Sequence, residues 1–245
     1  MGMADLIKSG IDGLDSMLFG GFPRENQIMI GGGPGAGKSL IAFEYIYRGA
    51  LAGEPGMIFA FDEEPKKIIS NVKEAFPGFN RLDELINDGL IRIEGRDILQ
   101  EAFNKYEQAG MEFGRIVADM EKKVISSGAK RAVVDSSSDF ELVIKDPIVY
   151  RRSMWSLAAN FRRLGVTTIL TAEIHNPDRK KLVFKPEHFI FDGIILMYQN
   201  GEDSRRIQAL EIIKMRGYRH SFSTAPYEIT PNGFKIYSPE LVDDQ

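Results

Sequence analysis

Gly32-Gly33-Pro34-Gly35-Ala36-Gly37-Lys38-Ser39 is the stretch on which the fold turns, a complete G-x-x-x-x-G-K-[ST] pattern. Glycines at these places let consecutive backbone N–H groups converge on one anion without Cβ interference, at the positive end of the helix that follows. Lys38 can reach the β- and γ-phosphates of a nucleoside triphosphate, and Ser39 can offer its hydroxyl to Mg²⁺. Average composition makes an accidental match in a chain of this length an event of roughly 1%. Context narrows it further, because an apolar strand pattern at 27–31 precedes the loop and a helical pattern at 38–50 follows it. Gly33, Pro34, Gly35, Ala36, Gly37, Lys38, Ser39 and Leu40 are therefore the residues expected around a nucleotide, with ATP and Mg²⁺ as the ligands.

Outward from the loop, short apolar runs alternate with longer stretches of helical period. Residues 27–31, 56–61, 90–95, 131–135 and 166–173 read as strands, β-branched or apolar with no polar alternation, as parallel strands covered on both faces should be. Helices are expected at 38–50, at 65–76 with proline at its start, at 97–127 and at 147–164. In the long segment Phe113, Ile116, Met120 and Val124 form one apolar group, and Gly110 is expected to interrupt the helix ahead of it. After residue 192 the pattern changes to successive strands at 192–199, 205–214 and 227–237, with turns at Asn200-Gly201 and Asn232-Gly233. The fold class is α/β: a mostly parallel central sheet flanked by helices, extended by antiparallel C-terminal strands. No linker divides the chain, so residues 1–245 are expected to form one domain.

Composition excludes several classes. The chain has 245 residues, 43% of them hydrophobic, and no cysteine, so zinc ribbons, iron–sulfur sites, cysteine nucleophiles and disulfides are out. No apolar run approaches the roughly 18 residues that span a bilayer, and the first residues lack an apolar signal core, which points to the cytoplasm and to no membrane partner. A net charge of −4 argues against a protein that coats polyanions.

Carboxylates complete the chemistry. Asp135 ends the apolar run Ala132-Val133-Val134, the place where a phosphate-loop protein holds its Mg²⁺ directly or through water. The strand after the loop's helix runs into Asp62-Glu63-Glu64-Pro65, and its carboxyl end should face the same crevice as the loop. Acids there can orient the attacking water, a positioning role that suits phosphoryl transfer. Asp62 or Glu63 is the catalytic candidate, and Glu64 the acid expected to cap the next helix.

These features resemble the KaiC-like branch of the RecA superfamily of ATPases, of the kind related to archaeal and bacterial RadA. The resemblance rests on ordered blocks along nearly the whole chain: SGIDGLDSMLFGGFPR (9–24), GGPGAGKS (32–39), GEPGMIFAFDEEP (53–65), RAVVDS (131–136), GVTTILTAE (165–173) and EIIKMRGYRH (211–220). It implies a RecA-like core and a homo-oligomer, a ring of six with ATP between neighbours. It assigns the catalytic acids to Asp62 and Glu63, of which Glu63 is the better because Asp62 is shorter by a methylene. It implies that Lys214-Met215-Arg216-Gly217 reaches the phosphates of the adjacent subunit, and that His220 contacts nucleotide, although a surface histidine is the plainer alternative. Tyr218 and Thr230 are placed near base or ribose on the same grounds. Family members that phosphorylate themselves carry an adjacent Ser-Thr pair where this chain has His188-Phe189, so no such reaction is expected there. The acid that helps hold nucleotide in the family's C-terminal hairpin is Pro231 here.

Two loops bear on partners. Residues 136–147 read as an acidic to neutral flexible loop, whereas the loop with Arg179, Lys180, Lys181 and Lys185 also carries Leu182, Val183 and Phe184. Six copies of those four cations would attract single-stranded nucleic acid. The favoured reading is a solvated loop with Phe184 packed on its own subunit. Functionally, a slow ring-forming ATPase acting on an unnamed protein partner leads. A nucleotide-dependent binding module with little hydrolysis and a DNA repair or recombination ATPase follow.

Overall fold

The computed structural model describes residues 5–61, 63–95, 109–174, 184–200 and 207–237. In chain order its elements are β1 (Leu6–Ile7), α1 (Leu14–Met17), β2 (Phe22–Pro23), β3 (Gln27–Gly32), α2 (Lys38–Leu51), β4 (Gly56–Ala60), α3 (Pro65–Ala75) and α4 (Leu82–Asn87). There follow β5 (Ile91–Glu94), α5 (Ala109–Ser127), β6 (Arg131–Asp135), α6 (Asp139–Val143), α7 (Pro147–Arg163) and β7 (Thr167–Glu173). A 3-10 turn (Pro186–Ile190), β8 (Gly193–Asn200), β9 (Ile207–Met215), β10 (Ala225–Thr230) and β11 (Gly233–Ile236) end the described chain.

Nine strands form one sheet in the order β11-β10-β9-β8-β3-β7-β6-β4-β5. From β8 to β5 every pairing is parallel, and β9, β10 and β11 extend the sheet antiparallel. Alternate side chains on each parallel strand go to opposite faces. Ile28, Ile30, Ile58 and Val133 join the apolar cluster under α2, while Met29, Met57, Phe59, Ala132 and Val134 join the cluster under α5 and α7. That two-sided burial is why the sequence shows runs instead of alternation.

Helix α7 shows how local sequence sets an element. The Asp146 carboxylate accepts from the Ile148 and Val149 amides at 2.8 and 3.1 Å, Pro147 occupies the first turn, and Arg162 and Arg163 close the last. Arg162 also pairs with Asp192 at 2.5 Å, tying the helix end to the segment that enters β8.

Several sequence expectations change. The helix expected at 97–127 is described from Ala109 to Ser127, and the part ahead of Ala109, with the interruption expected near Gly110, lies outside the described residues. The region 136–147 contains α6, so it is not a plain loop. The C-terminal hairpin turns at Pro231-Asn232, with Thr230 paired to Gly233, one residue earlier than the Asn-Gly pattern indicated. The β1–β2 ribbon, α1 and α4 have no counterpart in the sequence reading.

Candidate functional site

The parallel strands deliver their last residues to one edge of the sheet. Gly32 at the end of β3 lies beside Glu173 at the end of β7, and Ala60 at the end of β4 lies beside Asp135 at the end of β6. A cavity of about 510 Å³ opens there, lined by Lys38, Ser39, Glu63, Asp135, Ser136 and Glu173 on its polar side. Its other wall is apolar, built from Leu40, Phe43, Ile58, Ile68, Val72 and Ala75 among others.

The loop from β3 to α2 is shaped for an anion. Gly37 takes a left-handed φ of 87°, a conformation that suits glycine, and a Cβ there would come within 3.0 Å of Phe234 and 3.1 Å of Ile229. No side chain caps α2 and no acid occupies its first turn, so the opening N–H groups keep their donor capacity. Lys38 Nζ donates to the Gly33 carbonyl at 3.0 Å, folded back over the loop. Burial lowers the Lys38 ammonium below the ordinary lysine value, and the carboxylates of Glu173 and Asp135 oppose that shift. Ala36 is buried and its carbonyl accepts a 2.6 Å bond from the Tyr227 hydroxyl, so a C-terminal strand braces the loop.

On the acidic side, Asp135 Oδ1 accepts a hydrogen bond from Thr171 Oγ1 of β7. The peptide bond from Asp135 to Ser136 is cis. Ser137 donates through its amide and its hydroxyl to the Thr171 carbonyl, and Tyr150 donates to the Ser137 carbonyl at 3.1 Å. Glu63 is exposed, and both its carboxylate oxygens face Asn71 Nδ2, at 3.1 and 3.3 Å. Asp62 lies outside the described residues. Glu64 stands at the start of α3 but its side chain makes no capping hydrogen bond.

The cations of the last third lie elsewhere. Met215 pairs with Gly193, which in turn lies beside Ile28 at the beginning of β3. Lys214 and Arg216 are therefore at the edge opposite the phosphate loop, about 20 Å away along the six residues of β3. Arg216 Nη2 donates to the Phe189 carbonyl at 2.7 Å, and Lys214 Nζ sits 5.7 Å from the Phe189 ring centre. Burial and then the like charge of Arg216 lower the Lys214 ammonium, with Asp192 opposing. The Met215 side chain belongs to the core, which leaves only its backbone for a ligand. Tyr218 donates to the Phe19 carbonyl at 3.1 Å. His220 is only 8% exposed, so it is no surface histidine; its Nδ1 lies 2.9 Å from the Ser221 carbonyl oxygen. Thr230 donates to the Gly233 carbonyl within the hairpin turn.

Of the basic loop, Arg179, Lys180, Lys181, Leu182 and Val183 lie outside the described residues. Lys185 is paired with Glu141 at 2.7 Å, and Phe184 packs against the core of its own chain.

The sequence reading missed Thr171, Glu173, Asn71 and Tyr227. Glu173 ends a strand at the same edge as Asp135, so the rule that found one could have found the other. Asn71 is a polar residue on an otherwise apolar helix face. Thr171 and Tyr227 carry no local signal, because their partners are distant in sequence.

An anion-shaped loop between a central parallel strand and its helix, with acids ending the neighbouring strands, defines a phosphate-loop nucleotide-binding protein with a RecA-like core. Residues 7–241 match the family described as "ATPase: KaiC", and the chain belongs to that family. It is 34% identical over 245 residues to a UPF0273 protein of Aeropyrum pernix, covering 98% of this chain and 96% of that one. To a UPF0273 protein of Methanocaldococcus jannaschii it is 31% identical over 248 residues, covering 96% and 98% respectively. The circadian clock oscillator protein KaiC of a Nostoc species is 29% identical over 239 residues, which span 94% of this chain but 44% of that protein.

Proposed function

We propose that this protein binds ATP with Mg²⁺ at the loop from Gly33 to Ser39 and hydrolyses it, in a homo-oligomeric ring whose neighbouring subunit completes each site. The observation that carries the proposal is the shared cavity: Lys38, Ser39, Glu63 and Asp135 line one space at the carboxyl edge of the sheet. The loop from Gly33 to Leu40 cradles the phosphates through its backbone N–H groups, Pro34 having none, and Lys38 leaves the Gly33 carbonyl to meet their charge. Ser39 and Asp135 offer hard oxygen donors of the kind Mg²⁺ prefers, with Thr171 fixing the Asp135 carboxylate. Bound there, Mg²⁺ supplies charge neutralisation to the phosphate oxygens. Glu63, or Asp62 beside it, orients the attacking water.

Lys214 and Arg216, together with Tyr218 and His220, serve the nucleotide of the next subunit. Their place at the far edge of the sheet supports this, since they cannot reach the loop of their own chain. An arginine supplied in trans makes hydrolysis depend on assembly. A hexamer is the ring size proposed, acting on a protein partner; with Lys185 paired to Glu141, single-stranded nucleic acid is not the favoured ligand.

Steady-state phosphate release tests the assignment. Lys38→Ala and Glu63→Gln should each lower the rate by about 100-fold or more. Wild-type rates in both variants would contradict it, and a wild-type protein that binds ATP without releasing phosphate would identify a binding module instead.

A further inference from the structure

We propose that Asn71 is the positioning residue of Glu63: its side-chain amide fixes the carboxylate in the orientation that water attack requires. This rests on the proposed role of Glu63. Geometry is the first support. Asn71 Nδ2 lies 3.1 Å from one Glu63 oxygen and 3.3 Å from the other, so a single amide group spans the carboxylate. Glu63 is an exposed side chain just beyond a strand end, and a free glutamate in such a place samples several rotamers. Orientation matters for the reaction proposed, because a misplacement of about 1 Å can cost on the order of 100-fold in rate.

The pattern of α3 is the second support. Ile68, Asn71, Val72 and Ala75 follow the i, i+3, i+4, i+7 spacing of one helix face, and all four line the cavity. Asn71 is the polar member of that set. Packing alone would be better served by an apolar residue there, since a polar group turned toward an apolar wall is costly without a partner. Glu63 is that partner. An amide suits the task better than a cation: it orients the carboxylate without neutralising it, and carboxylate lone pairs remain to accept from a water. Helix α3 is held by Val72, which is buried, so the amide is presented from an anchored element rather than from the loop itself.

The test is steady-state ATP hydrolysis by Asn71→Leu, Asn71→Gln, Glu63→Gln and the Asn71→Leu/Glu63→Gln double variant. Affinity for a fluorescent non-hydrolysable ATP analogue and the thermal midpoint are measured alongside. Asn71→Leu keeps the branched shape of the side chain at a larger volume and completes the apolar face beside an open cavity, so its midpoint should not fall. Its kcat should drop about tenfold, the cost of losing one hydrogen bond to a charged group, with KM and analogue affinity unchanged. Asn71→Gln, which retains the amide, should recover much of the rate. In the Glu63→Gln background, Asn71→Leu should cost nothing more. Wild-type kcat in Asn71→Leu beside an inactive Glu63→Gln would overturn the inference alone. A lower midpoint and weaker analogue binding together with the lost rate would mark Asn71 as structural and also overturn it. Wild-type kcat in Glu63→Gln would overturn the role of Glu63, and the inference with it.

Discussion

Asp135 and the buried Thr171 form a hydroxyl–carboxylate pair at the carboxyl edge of the sheet. The two sit on adjacent parallel strands, and the Thr171 hydroxyl holds one Asp135 oxygen, restricting the directions in which the other can meet a cation. Losing such a supporting bond commonly costs tenfold or more in metal affinity. Thr171→Val keeps the shape and removes the donor, so the Mg²⁺ concentration that half-saturates ATP hydrolysis should rise about tenfold. An unchanged Mg²⁺ titration would separate Asp135 from the metal. His188 provides a pH test at the same scale. Its Nδ1 accepts from the Lys185 amide at 3.3 Å, a bond that a protonated ring cannot make. Burial, with Lys185 adding to it, lowers the ring to about 4 from an ordinary 6.5. The folded state therefore binds fewer protons than the unfolded one between those values, and stability falls as pH drops through that window. His188→Gln should lose less of its thermal midpoint between pH 6.5 and 4 than the wild type, by circular dichroism melting.

At the scale of elements, the C-terminal hairpin acts as a brace for the phosphate loop. Tyr227 of β10 bonds the Ala36 carbonyl, and the Phe234 amide of β11 donates to Glu44 of α2 at 2.7 Å. Arg48 joins the same buried carboxylate at 2.8 Å and reaches the Asn232 carbonyl at 2.6 Å. Burial raises the Glu44 carboxyl above its ordinary value, while the Phe234 amide and Arg48 oppose that shift. Gly233 takes a φ of 117°, and a Cβ there would come within 2.1 Å of the Glu44 carboxylate, so backbone and helix meet closely. Tyr227→Phe should cost about 1 kcal/mol in urea unfolding and weaken nucleotide binding along with it. A stability loss with unchanged affinity would show that the brace does not shape the loop.

The same elements show what could be read in advance. Strands β3, β4, β6 and β7 were legible within a residue or two because each is a run of β-branched or apolar residues buried on both faces with no polar alternation. The phosphate loop and the acid ending β6 were legible because their chemistry is local. The short elements were not. Helix α6 is five residues long and α1 four, too short for periodicity to show, and the β1–β2 ribbon pairs Leu6 with Pro23 across a long separation. The hairpin turn was misplaced because Asn232-Gly233 has the composition of a two-residue turn, whereas Gly233 opens β11 and pairs with Thr230.

For the whole molecule, the parallel sheet separates two sets of groups. Acids and the phosphate loop collect at the carboxyl edge, and Lys214 and Arg216 stand at the amino edge, where Arg216 donates its amide to the Asp192 carbonyl. In the proposed assembly a head-to-tail contact would bring one edge of each chain to the other edge of the next, an arrangement that makes a ring where the rotation between copies closes and a filament where it does not. Light scattering of the purified protein should accordingly report an assembly that grows or tightens with ATP and Mg²⁺.

The most direct measurement mixes two disabled proteins. Arg216→Ala keeps an intact phosphate loop and Lys38→Ala keeps an intact arginine, and each alone should release almost no phosphate. In a randomly mixed ring about one site in four joins an intact loop to an intact arginine, so equal amounts should restore about a quarter of the wild-type rate. A mixture as inactive as its parts, or an Arg216→Ala protein as fast as the wild type, would contradict a nucleotide site completed by the neighbouring chain.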